Sequence, residues 1–196
     1  MILLAWPPRG DYQEGGNCDM CLAKRKKLNT HQGQHRPASG HGYPGQTLFM
    51  DLVGPLSTAP NNYKYVLTMQ DAFSRYALGT PILCKEAETV AHALMEKWIL
   101  HFGCPSHIHS DQGTEFKNTV WSALCDRLEI KKTTMPSYNR HSNPVERFHR
   151  TLGQILHCFM PRDEKNWTKY ISIAAFAYNT KINKTTNLTP FETFIG

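Results

Sequence analysis

The 196-residue sequence holds no stretch of about eighteen consecutive apolar residues, so no membrane-spanning helix is expected. Its opening, MILLAWPPRG, lacks the basic lead-in, the apolar length and the small-residue cleavage site of a secretory signal. That absence sets the expectation of an intracellular chain or a fragment of one. No internal repeat appears. There is no disulfide framework either. Of six cysteines only Cys18 and Cys21 form a close pair, and Cys84, Cys104, Cys125 and Cys158 stand singly in apolar stretches, the pattern of reduced core thiols. Acidic residues are the scarcer charge, 16 against 22 Lys and Arg, giving a net charge of +6 and a sequence pI near 9.0. A basic balance tilts toward a polyanionic partner, because phosphate contacts dominate nucleic-acid affinity. With 40% hydrophobic residues and a mean hydropathy of −0.47, the chain fits a globular protein with one good core.

Residues 1–45 differ in texture from the rest. They contain CDMCLAKRKK and then HQGQHRPASGHGYPG, a Gly/His/Pro-rich run that reads as a linker. From Thr47 the pattern is that of a folded domain. TLFMDLVGPL is a strand with a Gly-Pro stop, and KYVLTMQDAF and RYALGTPIL are two more strands, expected to form an antiparallel meander. KEAETVAHALMEKWILHFG places Ala87, Val90, Leu94, Trp98 and Phe102 at helical spacing, closed by Gly103. HIHSD is a short strand. NTVWSALCDRLEI is a helix capped by Asn118 with Val120, Leu124 and Leu128 in step, and KKTTMP is a strand. A helix from Asn143 carries Val145, Phe148, Leu152, Ile155 and Phe159; another follows in EKNWTKYISIAAFAYNTKIN, and TPFETFIG ends the chain after a loop. The expected class is α/β, a mixed sheet covered by helices.

Three carboxylates stand out. Asp51 interrupts an apolar strand on the same face as Phe49 and Val53. Buried without a partner it would be costly; at a strand end facing solvent it would be ordinary. Asp111 closes a strand and enters DQGTEF, where Asp-x-Gly is also good turn chemistry. Glu146 lies in HSNPVERFHRTL. Asn143 suits an N-cap, Pro144 the first helical position, and Glu146 the third, the spacing of a capping box. Yet Glu146 is off the apolar stripe, on a second helix face with His149, Arg150, Gly153 and His157. Two carboxylates from adjacent strands and one from a helix can converge at one sheet edge. Hard divalent cations take oxygen ligands, and two such ions roughly 3.5–4 Å apart activate a nucleophile and stabilise a leaving oxygen in phosphoryl transfer. Asp71 in QDAFSR reads as structural, bonding locally near Ser74 and Arg75, and Glu115 as a peripheral fourth acid.

LFMDLVGPL, YVLTMQDAFSRYALGTPI, HFGCPSHIHSDQGTEFKN, LEIKKTTMPSY and SNPVERFHRTL together resemble the integrase of gypsy-type long-terminal-repeat retrotransposons, and AYNTKINKTTNLTPFETFIG is similar to that family's closing segment. The resemblance covers nearly all of residues 47–196. It implies the ribonuclease-H-like fold, Asp-Asp-Glu polynucleotidyl transfer, and Asp51, Asp111 and Glu146 as the catalytic residues that ligate two Mg2+ or Mn2+ ions. It further implies 3′-end processing and strand transfer of element DNA into target DNA, a homo-oligomer, work in the nucleus and no membrane. DNA contacts are expected from Gln112, Lys131, Lys132, Tyr138, Asn139, Arg140, Arg147 and Arg150. WPPRGDYQEGGNCDMCLAKRKK is similar to the end of the family's His-His-Cys-Cys zinc domain, with Cys18 and Cys21 as the cysteine half of a Zn2+ site. An alternative set is Cys18, Cys21, His31 and His35, although nine residues between the pairs is short for a finger. The expected layout is a zinc-domain remnant at 1–30, a linker at 31–46 and a catalytic core at 47–196. The sequence departs from the family before the helix. Pro144 stands where a Gly-Gln pair is usual, and 34 residues separate Asp111 from Glu146, one fewer than the family's habit. Two readings stay open: a metal-dependent integrase core, and an inactive or domesticated relic that binds DNA or protein through the same fold.

Overall fold

The structure, a computed structural model, describes residues 42–134, 145–159, 166–183 and 187–196. All of these belong to one compact unit, Ala38–Gly196. The unit is built on a five-stranded sheet. Strands β1 (Thr47–Val53), β2 (Tyr65–Asp71) and β3 (Ala77–Ile82) form the expected antiparallel meander. Strand β4 (His107–Ser110) then pairs parallel to β1, and β5 (Lys131–Thr134) parallel to β4, so the order is β3-β2-β1-β4-β5. That order puts β1 in the middle, which is why its first four residues are buried on both faces.

Each face of the sheet has its own helical cover. Helix α1 runs Ala87–Leu94, widens to a π-helical turn over Met95–Ile99, finishes with Leu100–Phe102 and stops at Gly103 in a left-handed conformation. With α2 (Thr119–Arg127) it covers the face bearing Leu48, Met50, Leu67 and Met69; Val90, Leu94, Trp98, Trp121 and Cys125 fill that layer. The opposite face is covered by α3 (Val145–Phe159) and α4 (Thr168–Asn179). There Leu152, Leu156, Trp167 and Ile171 close over Val66, and the Trp167 indole N–H donates to the Ser57 carbonyl at 2.6 Å. Gly79 of β3 permits this close approach, since a Cβ at that position would lie 2.8 Å from Ile171 Cγ2. Asn179, fully enclosed at the end of α4, bonds both the N–H and the C=O of Ala77.

Some expectations need correcting. The buried stripe of α2 is Trp121 and Cys125, whereas Val120 is exposed; Asn118 caps the helix as expected, accepting from the Val120 N–H. Turning the stripe by one residue lets an indole rather than a valine meet Phe116, edge to face at 5.5 Å. Of the single cysteines only Cys125 is a core thiol. Cys104 is exposed, and Cys84 and Cys158 are half-buried; all four are free. Burial raises the Cys125 thiol to a pKa of about 11. The closing TPFETFIG is a helix, α5 (Pro190–Ile195), opened by a capping box in which Thr189 Oγ1 accepts from the Glu192 N–H while Glu192 accepts from the Thr189 N–H. Phe194 of α5 stacks on Tyr76 with ring centroids 4.7 Å apart and packs against Trp98 and Phe102 of α1. No helix among the described residues is long and apolar enough to cross a membrane.

Candidate active site

Asp51 sits in the second half of β1, on the face covered by α3. The parallel register pairs Phe49 with His109. Asp51 lies two residues past Phe49 on β1 and Asp111 two residues past His109, so both follow the last paired residues of two neighbouring strands. Chain order could not show this, because the two residues are joined only through β4 crossing back beside β1. Asp51 is half-buried; its Oδ1 accepts from the Leu52 N–H at 2.8 Å. Asp111 lies just past the end of β4, exposed, and its Oδ1 accepts from the Gly113 N–H at 3.0 Å. The turn reading of Asp-x-Gly is therefore realised. It engages one oxygen of a group that has two.

Helix α3 brings the third element. Its first residue, Val145, is buried against Phe49 and Ala72, so the helix starts beside β1. Glu146 is the next residue, in the first turn; its side chain, and Asn143 and Pro144 before it, lie outside the described residues. One turn on, His149 faces the sheet. Its Nε2 is 2.7 Å from Thr68 Oγ1, and its Nδ1 is 3.9 Å from Asp51 Oδ2. Thr68 is the β2 partner of Asp51, and its hydroxyl also donates to the Asp51 carbonyl oxygen at 2.9 Å. Proximity of imidazole and carboxylate suggests an ion pair, but burial depresses the His149 pKa to about 4. The ring is neutral at pH 7, and the contact is dipolar rather than ionic. His149 was not among the residues singled out as functional. The one signal for it in the sequence is its spacing of three from Glu146, which places both on one helix face.

The remaining residues divide by position. Asp71 is structural, as expected. It is fully buried, and it accepts from the Gly45 N–H at 2.9 Å and from both the N–H and hydroxyl of Ser74 at 2.6 Å. Gln112 is exposed beside Asp111, and Arg147 and Arg150 are exposed on α3 either side of His149. Lys131 and Lys132 are exposed too, but they open β5 at the level of His107 and Ile108. That is three to four residues back from Asp111, roughly 10–13 Å along the strand direction. Tyr138, Asn139, Arg140, Cys18, Cys21, His31 and His35 lie outside the described residues. Among the described residues, no three His, Cys, Asp or Glu side chains converge to form a metal group.

Residues 42–140 match the sequence model of the family described as integrase core domain. The chain belongs to the integrase core domain family. This integrase core is 32% identical over 148 residues to the retrovirus-related Pol polyprotein from transposon 412 of Drosophila melanogaster, covering 75% of this chain and 12% of that one. It is 26% identical over 180 residues to the transposon Tf2-3 polyprotein of Schizosaccharomyces pombe, covering 90% and 13%. It thus spans about an eighth of the length of these polyproteins. The fold is similar to the catalytic core domain of BIV integrase, with a TM-score of 0.62 at 26% identity over 77% of this chain and 94% of that one. It is also similar to the HTLV-2 integrase catalytic core domain in complex with magnesium in a trimeric form, with a TM-score of 0.64 at 18% identity, covering 79% and 99%. A third similar structure is a simian T-cell lymphotropic virus intasome in complex with PP2A regulatory subunit B56 gamma, with a TM-score of 0.70 at 23% identity, covering 90% and 63%. The mixed five-stranded sheet with helices on both faces is the ribonuclease-H-like fold of these integrase cores.

Proposed function

We propose that this integrase core performs the two steps of DNA integration, 3′-end processing and strand transfer, with Asp51, Asp111 and Glu146 as the metal-binding catalytic carboxylates. The observation that carries this is that Asp51 and Asp111 each follow by two residues the paired Phe49 and His109 of adjacent strands, with the start of α3 packed against Phe49 of β1. The donor set fits a hard cation by its chemistry: two aspartates at the ends of neighbouring strands and a glutamate in the first turn of the helix beside them, all oxygen donors. Two divalent cations, Mg2+ or Mn2+, held there would activate the attacking oxygen and stabilise the leaving one.

The chemistry needs no protein nucleophile. In processing, a water oxygen attacks a phosphodiester near the element's 3′ end; the P–O bond to the departing 3′ oxygen breaks, and that oxygen takes up a proton. In strand transfer the freed 3′ hydroxyl loses its proton as its oxygen attacks a target phosphodiester and displaces the target strand's 3′ oxygen. Gln112, Arg147 and Arg150, all exposed, are assigned to contacts with the DNA backbone. Tyr138, Asn139 and Arg140 are assigned the same role by position in the sequence. Two DNA ends must be joined together, which supports a homo-oligomer. Cys18 and Cys21 supply half of a Zn2+ site.

The second reading, a relic that binds DNA or protein without catalysis, is favoured by the one-residue shortening and Pro144 before Glu146. A strand-transfer assay on an oligonucleotide carrying the element end separates the two. Mg2+- or Mn2+-dependent product that disappears in Asp51→Asn supports integration. DNA binding with no product at any divalent-ion concentration supports the relic.

A further inference from the structure

The turn between β2 and β3 carries a cation whose charge the described residues leave unmatched. Arg75 stands there in the left-handed conformation, with φ at 69°, which a long side chain rarely adopts and which glycine or asparagine accepts more readily. The chain nevertheless pins it. Its N–H donates to the Asp71 carbonyl at 3.1 Å, and its own carbonyl accepts from Gln70 Nε2 at 3.1 Å. Arg75 Nη1 is enclosed and has no hydrogen-bond partner. A guanidinium keeps its charge at any ordinary pH, and an enclosed N–H left unbonded is costly. The neighbouring oxygens do not offset this. Those of the Asp71 carboxylate are committed to Gly45 and Ser74. Gln70 Oε1 is enclosed without a donor, but it belongs to a neutral amide.

Two further donors gather around Arg75. Tyr178 of α4 packs edge to face on Phe148 with ring centroids 5.1 Å apart, and its hydroxyl accepts from Gln70 Nε2 at 2.8 Å. Accepting that bond leaves the phenolic proton available to donate. Arg147, in the first turn of α3, is exposed, and its charge acts on both Arg75 and Tyr178. Burial lowers the Arg75 pKa, Tyr178 and Asp71 oppose that shift, and the like charge of Arg147 adds to it. Two like charges and a free hydroxyl proton therefore share one corner of the sheet face covered by α3 and α4. An anion between them would turn repulsion into attraction. We propose that Arg75, Arg147 and the Tyr178 hydroxyl together bind one phosphodiester group of the DNA. The proposal rests on the integration reading above and deepens it, because neither Arg75 nor Tyr178 is among the residues expected to touch DNA. Gln70 lies two residues along β2 from Thr68, the register partner of Asp51, so the cluster stands beside the carboxylates without including them.

Anisotropy titrations of the full chain with a fluorescent duplex oligonucleotide, in a chelator and over a range of salt, test this. Arg75→Gln should weaken binding about tenfold and reduce the slope of log affinity against log salt by about one, the loss of one phosphate contact. Tyr178→Phe keeps the ring against Phe148 and should weaken binding about threefold with the slope unchanged, because the lost donor carries no charge. A purely structural role for Arg75 would move the melting temperature but not the slope. Wild-type affinity and slope in both variants overturn the phosphate site and leave integration, scored by strand transfer in the wild type, standing. Inorganic phosphate that raises the melting temperature of the wild type but not of Arg75→Gln, with DNA binding unchanged, overturns the DNA assignment in favour of a small free anion. A wild type that binds no DNA overturns both readings. Where Arg75→Gln fails to fold, the affinity of Tyr178→Phe decides the matter.

Discussion

Two aspartates on neighbouring strands of one sheet have opposite fates. Asp71 ends β2 with none of its surface exposed, and three donors from Gly45 and Ser74 converge on its two oxygens. Asp51 sits on β1, three residues on from Leu48, the register partner of Asp71. It keeps about a quarter of its side chain in solvent and faces a neutral imidazole. A carboxylate sealed in a core must have its charge met by N–H and O–H groups of the same chain. A carboxylate that is to hold a metal must keep oxygen lone pairs for it and a path to solvent. The difference between the two sites is one of burial, and substitutions can test it.

The largest expected effect is on chemistry. Asp51→Asn should cut strand transfer by about a thousandfold, ~4 kcal/mol of barrier, while leaving the melting temperature within a few degrees of wild type. A parallel collapse of the fold would make Asp51 a second Asp71. The reverse is expected of Asp71→Ala, which strands the donors of Gly45 and Ser74 and should cost about 3 kcal/mol in a urea melt. An unchanged unfolding midpoint would contradict the structural assignment.

The neutral histidine beside Asp51 gives the next effect. Its folded pKa, about 4, lies below the ordinary 6.5, so the unfolded chain takes up the proton first as pH falls. The contribution to stability is complete above about pH 6.5 and is lost as pH drops toward 4, reaching about 2–3 kcal/mol by pH 4.5. Urea melts in the presence of a chelator should show that slope, and His149→Gln should be flatter by the same amount. The smallest effect concerns capping. Thr189→Ala removes the acceptor of the Glu192 N–H and should cost about 1 kcal/mol, detectable as early fraying of α5 in hydrogen exchange.

Much of the scaffold was legible along the chain. The meander, the α1 stripe Val90, Leu94, Trp98 and the stop at Gly103 follow from local periodicity and from the left-handed conformation that glycine accepts. The α2 stripe was read one position off because Val120 and Trp121 are both apolar, and periodicity alone cannot say which of two adjacent residues a neighbouring Phe116 will select. The capping pattern considered for Asn143 and Glu146 occurs, fully bonded, at Thr189 and Glu192. A Ser/Thr-x-x-Glu spacing near the end of the chain was the available signal for α5.

The sequence by itself determined the element types, the unusual placement of Asp51 in an apolar strand and the family to which residues 42–140 belong. Only the tertiary structure decided that β4 returns parallel beside β1, pairing Phe49 with His109 two residues before each aspartate, and that Thr68 and His149, 81 residues apart, meet at the Asp51 backbone. The physical reason is that local sequence fixes periodicity and caps, whereas strand order and helix docking depend on burying two apolar faces at once. Those long-range choices are what convert separate polar residues into a single site.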